Sequence, residues 1–411
     1  LVITNGYRFL WKDIKIMKIT EVRAIPVGSL GTPPPKGVGS VLVTPSSIFY
    51  NPQKDRQPGS APITFLLVEV VTDEGITGVG SVGAALGHAQ YTIENHLKYI
   101  VLNQNPFDVE LLWERMFRES INYGRKGMAI EAISAIDIAL WDIMGKAVGQ
   151  PVYNLLGGRT RDRIRAYASS LYATEDLDAL AAEAQSYLDQ GFTAMKQRFG
   201  YGPRAGLEGM RRNLELIRTV REVIGPNIEL AADAYMGWNV SYAIRMIKML
   251  EDAGMNLAWV EEPVMPDDIA GYARIAAEVD TPVSGGEHEF TRYGFRELID
   301  RRAVDIVQLD VNRCGGITES RRIWAMAAAQ DLPVLPHAGQ MHNYHLIMAH
   351  MNSPIAEYFP PPKGIPDGNE IFWVMFNGEP LAQDGHIHLS ETTPGLGLEI
   401  NWEIVNKHRL T

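Results

Sequence analysis

The run "IELAADAY" at 228–235, with "LAWVE" at 257–261, "PVSGGE" at 282–287, "VDIVQLD" at 304–310 and "PVLPH" at 333–337, decides how this chain folds. Each run is short and apolar. Each delivers a group that carries charge or a proton: Asp233, Glu261, Glu287, Asp310 and His337. Successive groups stand 28, 26, 23 and 27 residues apart. A βα unit of a parallel barrel takes about that much chain, so the spacing predicts consecutive strands presenting their end residues on one face. That face is where barrel enzymes do their chemistry. A single strand-end acid is explained by a salt bridge or a helix cap. Three in register, followed by an Asp and a His, demand a compensating charge, most simply a divalent cation. Hard oxygen donors favour Mg²⁺ over zinc, which would want His or Cys. The five groups read together as a metal-assisted proton-abstraction site.

Working outward, runs at about 164–170, 192–198 and 354–359 bring the strand count of this α/β region to eight. Amphipathic helices separate most of them; 209–224 puts Met210, Leu214, Ile217, Val220 and Ile224 on one face and stops at Gly225. Upstream, "ITEVRAIPV" and "TFLLVEVVTDEGITGVGSV" predict antiparallel strands turning at Asp73-Glu74-Gly75. The Pro- and Gly-rich stretch between them, 28–60, is expected to be a lid loop. Residues 88–122 and 128–148 have helical periodicity, and the second is apolar enough for an interdomain seam. The closing segment returns to short strands and turns, with "PLAQDGHIHLS" as a hairpin-like piece, and as a whole is expected to cover the N-terminal sheet.

Composition narrows the function. With 411 residues, 46% hydrophobic and 21% charged, the chain has material for a barrel and a smaller domain. A net charge of −11 argues against nucleic acid or an anionic membrane as partner. The single cysteine, Cys314, cannot form an internal disulfide and fits a reducing cytoplasm. No apolar run reaches transmembrane length, and residues 1–16 lack a signal core and read as an extension outside the fold.

Other side chains are candidates for the same site. Lys196 and Arg198 alternate onto one face of the second strand, where long cations need anions beside them. They are expected to face the substrate carboxylate and the metal from the side opposite His337. Asp310 is expected to fix the tautomer of His337. Glu357 is either a hydrogen-bond donor, if protonated, or a buried structural acid. His288 is expected in a supporting or substrate-hydroxyl role and His342 within reach of the pocket, while His345 and His350 read as packing. Arg56, Tyr50 and Lys36 are candidate lid contacts.

These residues sit in motifs that resemble the enolase superfamily, and within it the mandelate racemase subgroup, over 17–411. The resemblance rests on "SAIDIALWDIMGKAVGQPVYNLLGG" at 134–158, on "DAY", "WVEEP" and "GGEHEF", and on "LD…NRCGGIT" and "PHAG". It implies a modified TIM barrel, (β/α)7β, at 146–370 under an α+β capping domain at 17–145, with 371–411 packing back on the cap. It implies one Mg²⁺ per subunit held by Asp233, Glu261 and Glu287, His337 with Asp310 as base, and Glu357 donating to a substrate carboxylate. The long first loop, the Glu-His pair and the histidines after "PHAG" look most like acid-sugar dehydratases of the rhamnonate dehydratase type. The resemblance then implies loss of the C2 proton and C3 hydroxyl of an aldonate such as L-rhamnonate or L-lyxonate, giving a 2-keto-3-deoxy acid, in a homo-oligomer. Many subgroup members carry Lys-x-Lys on strand two, whereas this chain has Lys196-Gln197-Arg198. Arg198 cannot be a base, so Lys196 is the candidate second base of the alternative, a racemase or epimerase. An aldarate dehydratase is a further alternative. A cycloisomerase would be expected to carry a base on strand six, where Asp310 stands.

Overall fold

The computed structural model describes residues 16–28, 42–49, 65–83, 86–361 and 374–410. Lys36, Tyr50 and Arg56, and nearly all of 1–16, lie outside them.

The N-terminal sheet is antiparallel, β1 (Ile19–Val27), β2 (Phe65–Thr72) and β3 (Thr77–Gly83). A helical run follows, α1 (Leu86–Thr92) continuing through Ile93–Leu97 to Val101, then α2 (Val109–Glu119). The periodicity that read as one helix over 88–122 is thus broken at 102–108. Asn103 turns left-handed there (φ 62), and Pro106 disfavours helix at the residue before it.

The seam helix α3 (Met128–Val148) is buried from Ala129 to Gly145, and several of its few polar residues tie it to other elements. Ser134 Oγ accepts from Gly315 N at 2.9 Å, Asp137 Oδ2 from Thr318 N at 2.9 Å, and Trp141 Nε1 donates to Thr318 Oγ1 at 2.9 Å. Asp142 accepts from Val79 N and Leu396 N. Buried polar groups need such partners, so this helix is specified by its exceptions to apolarity. Glycines at 78 and 80 let it lie directly on β3. A Cβ at either would meet the α3 backbone at 2.0 Å.

The barrel strands are β4 (Ile164–Ser169), β5 (Ala194–Arg198), β6 (Glu229–Asp233), β7 (Val260–Glu261), β8 (Val283–Gly285), β9 (Ile306–Val307) and β10 (Ala356–Tyr358), parallel in the order β10-β4-β5-β6-β7-β8-β9. The run at 333–337 lies beside β9 through the bridge Val307–Val334, with Leu335 N and His337 N donating to Val307 O and Leu309 O. Helices α4 (Leu177–Asp189), α5 (Gly206–Ile224), α6 (Val240–Asp252), α7 (Ile269–Glu278), α8 (Thr291–Asp300), α9 (Gly316–Ala328) and α10 (Met341–Ala349) connect them. Several strands are shorter than the apolar runs suggested; Lys196, Arg198, Asp233, Glu261 and Glu357 lie on the ladder itself, whereas Glu287, Asp310 and His337 follow the last paired residues of their runs.

The hairpin-like piece turns at Asp384-Gly385, both at positive φ, and its strand His386–Ile387 pairs with β4 of the barrel. Ile387 is fully buried there, opposite Ile164. The chain end does reach the cap: Leu410 N donates to Pro26 O at 3.0 Å. Among the described residues no helix is long and apolar enough to cross a membrane.

Candidate active site

The barrel interior is built in two layers. Tyr167, Ala194, Ala231, Trp259, Ile306, Leu335 and Ile355 pack together as an uncharged floor. Two residues further along the same strands stand Ser169, Lys196, Asp233, Glu261, Gln308, His337 and Glu357. Side chains two apart share a face and rise by about 6.6 Å, so these form the mouth. The chain then turns sharply. Tyr235, Met236, Glu262 and Ala338 all have positive φ of 39 to 66°. Such backbone costs on the order of 1–3 kcal/mol per residue and clusters at functional sites.

The second strand supplies the cations. Lys196, wholly buried, donates from Nζ to Glu261 Oε1 at 2.5 Å and lies 2.8 Å from Glu357 Oε1. Arg198 bonds Asp233 Oδ2 through Nη1, and its Nη2 donates to Ser169 Oγ at 3.0 Å. Both cations therefore bind the strand-end acids directly. Burial alone would lower the Lys196 ammonium, but Glu261 and Glu357 hold it above the ordinary lysine range.

Glu357 has two readings from the sequence, a donor if protonated or a buried structural acid. It is surrounded by donors: Lys196, Ser169 Oγ at 2.6 Å, and Ala338 N at 2.7 Å from Oε2. Burial would raise it, yet Lys196, His337 and Arg198 pull it well below the usual carboxylate range. It is an acceptor that anchors Lys196.

On the other side, His337 Nδ1 lies 2.8 Å from Asp310 Oδ2, and its Nε2 lies 3.4 Å from Glu287 Oε1. Burial would lower this imidazole, but Glu287 and the Asp310 hydrogen bond raise it to about 9. His288 points into the mouth because β8 has already ended and Gly286 bends the chain (φ 125). Its Nδ1 is 2.9 Å from both Glu262 oxygens. The sequence reading missed Arg313, which reaches Glu287 at 3.3 Å and Asp310 at 3.5 Å. Its position three residues after Asp310, one helical turn on, was the available signal. Glu262 was likewise passed over as half of an acidic doublet. His342 is buried with Nε2 unpartnered among the described residues, and burial lowers it to about 4. His345 bridges Tyr153 N and Leu396 O, and His350 stacks on Trp324, both as packing groups. The mouth groups that reach the surface are His288, Arg313 and His337, at 24, 18 and 14% side-chain exposure, whereas Lys196 is at 0%.

Charge balance tests whether a metal ion fits. Asp233, Glu261, Glu262, Glu287, Asp310 and Glu357 are six carboxylates sharing this mouth with three fixed cations, Lys196, Arg198 and Arg313, and with two imidazoles, His288 and His337, whose protonation would still leave the cations outnumbered. Burial, with Asp233, Glu357 and Glu287 adding to it against Lys196, pushes Glu261 up to about 7. Burial and Glu287 push Glu262 up to about 6. This surplus of negative charge, on oxygen donors of adjacent strands, suits a hard divalent cation. Among the described residues, the group whose donor atoms all fall within 4.8 Å is Glu262, Glu287 and His288. There Glu262 already faces His288 with both oxygens. Of the three strand-end acids read from the sequence, Glu287 belongs to that group, while Asp233 and Glu261 lie outside it.

The fold corresponds to known proteins. Residues 56–157 match the mandelate racemase/muconate lactonizing enzyme N-terminal domain, and 179–404 match the enolase C-terminal domain-like family. The chain belongs to the enolase superfamily, in its mandelate racemase subgroup. It is 36% identical to L-rhamnonate dehydratase of Saccharopolyspora erythraea over 94% of this chain and 98% of that protein. The crystal structure of rhamnonate dehydratase from Gibberella zeae complexed with Mg superposes with a TM-score of 0.84 at 34% identity, covering 96% of each chain. The 3,6-anhydro-D-galactonate cycloisomerase of Zobellia galactanivorans superposes at 0.80 with 28% identity, over 96% of this chain and 100% of that one.

Proposed function

We propose that this protein is a Mg²⁺-dependent acid-sugar dehydratase that acts on an aldonate of the L-rhamnonate or L-lyxonate type. The observation that carries the reading is the Asp310–His337 pair, a buried carboxylate on a partly exposed imidazole, set beside Glu287 at the mouth. The relatives named above supply the substrate class.

In this reading Asp233, Glu261 and Glu287 hold the metal, which when bound supplies Lewis-acid polarisation of the substrate carboxylate. His337 Nε2 takes the C2 proton, while Asp310 holds Nδ1–H and steadies the imidazolium that forms. Lys196, fixed between Glu261 and Glu357, keeps a positive charge beside the negative charge developing on the carboxylate. The C3–O bond then breaks, His337 returns its proton to the departing hydroxyl as water, and the enol ketonises to the 2-keto-3-deoxy acid. Arg198 orients Asp233, and Glu262 orients His288, which stands where it can meet a substrate hydroxyl. His342, Arg56 and Tyr50 are proposed as further substrate contacts.

A racemase would need a second base on the opposite face. Lys196 is buried, charged and engaged by two carboxylates, which supports dehydration. The single cysteine, which is buried, supports a cytoplasmic setting. Exposed Ile121 and Tyr293, beside a largely apolar groove, support a homo-oligomer.

Incubation with Mg²⁺ and a panel of aldonic and aldaric acids should yield a 2-keto-3-deoxy acid from an aldonate. Exchange of the C2 proton with solvent deuterium without keto acid would instead support a racemase.

A further inference from the structure

The two oxygens of Glu261 are treated differently by their surroundings. Oε2 accepts from Gln308 Nε2 at 2.8 Å and from Trp259 Nε1 at 3.1 Å. Oε1 faces Lys196 Nζ. Glu261 and Gln308 are completely buried and Trp259 is 3% exposed, so water does not compete for these bonds. Both donors are held from behind. The Trp259 indole meets Tyr167 edge-on at 5.3 Å in the floor layer, and Gln308 N donates to Gly285 O at 2.9 Å. The other amide atom of Gln308, Oε1, has no partner among the described residues, so donation to Glu261 is the contact this amide makes.

A carboxylate oxygen offers two lone-pair sites. Two N–H donors fill those of Oε2, and Lys196 takes one of Oε1. Glu261 is left with one oxygen to offer a cation. Mg²⁺ takes near-ideal octahedral geometry at about 2.0–2.1 Å, whereas Ca²⁺ takes about six to eight oxygens and accepts carboxylates bidentately. We propose that Gln308 and Trp259 are positioning residues that hold Glu261 as a one-oxygen ligand and thereby set the site's preference for Mg²⁺ over Ca²⁺. This rests on the reading of Glu261 as a ligand.

Calorimetric titration of the chelator-treated full chain with MgCl2 and, separately, CaCl2 tests it in wild type, Gln308→Met, Trp259→Phe and Glu261→Ala. Circular dichroism checks each fold. Gln308→Met and Trp259→Phe should each weaken Mg²⁺ binding by about tenfold. They should weaken Ca²⁺ less or not at all, so the ratio of Ca²⁺ to Mg²⁺ affinity rises by about threefold or more. A smaller rise in the folded variants overturns the inference. Trp259→Phe removes only an N–H and keeps an aromatic ring in the floor, so it decides the matter if Gln308→Met does not fold. Glu261→Ala separates the two claims. Wild-type Mg²⁺ affinity in that variant refutes the ligand reading itself; lost affinity there with an unchanged ratio in the other two refutes only the positioning role.

Discussion

Along the barrel strands, the interior positions of Trp259, Leu335 and Ile355 are followed two residues later by Glu261, His337 and Glu357. The first set is an uncharged floor and the second an ionised mouth, one pleat apart on the same backbone. Apart from Trp259, whose indole N–H serves Glu261, floor residues gain from leaving water and need only to fill space. Mouth residues lose hydration that only cations, donors and a metal restore. The same strand therefore carries stability in one layer and chemistry in the next, and substitutions should separate the two.

The largest effect is expected at Asp310. Asp310→Asn removes the acceptor that fixes His337, and kcat for keto-acid formation should fall on the order of 10²- to 10⁴-fold. Thermal melting should change much less; a large melting change with intact kcat would merge the layers. Ile355→Ala, in the floor, should do the reverse. It should cost about 2–5 kcal/mol in denaturant unfolding, with Mg²⁺ affinity retained by the folded enzyme.

Asp137 is a control outside both layers. Burial raises it from 3.8 to about 7, against the hydrogen bond from Thr318. The folded state therefore holds this proton to higher pH than the unfolded chain. Its contribution is full below pH 3.8 and is lost as pH rises to about 7. Asp137→Asn should flatten that part of the stability–pH curve, measured by unfolding across the range. The smallest effect is expected from Tyr167→Phe. The Tyr167 hydroxyl has no hydrogen-bond partner among the described residues, so its removal should change stability by less than about 1 kcal/mol or increase it. A loss of several kcal/mol would mean that this hydroxyl has a polar role.

Much of the mouth was legible in the sequence because strand period and βα spacing are global regularities. They put Asp233, Glu261, Glu287, Asp310 and His337 in register, and alternation paired Lys196 with Arg198. What was not legible depends on where the chain leaves regular structure. Arg313 enters the site from the short helix Val311–Cys314 and Glu262 from the bend after β7, at φ 39. The protonation of Glu357 was undecidable without its three donors. The Asp384-Gly385 hairpin was recognisable as a turn, but its pairing partner on β4 is set by long-range packing.

The central claim is that His337 removes the C2 proton. With Mg²⁺ and the active aldonate in D2O, nuclear magnetic resonance of His337→Asn should reveal neither deuterium at C2 of the recovered substrate nor keto-acid product. Incorporation at C2 at the wild-type rate would assign the proton to another residue and contradict the account.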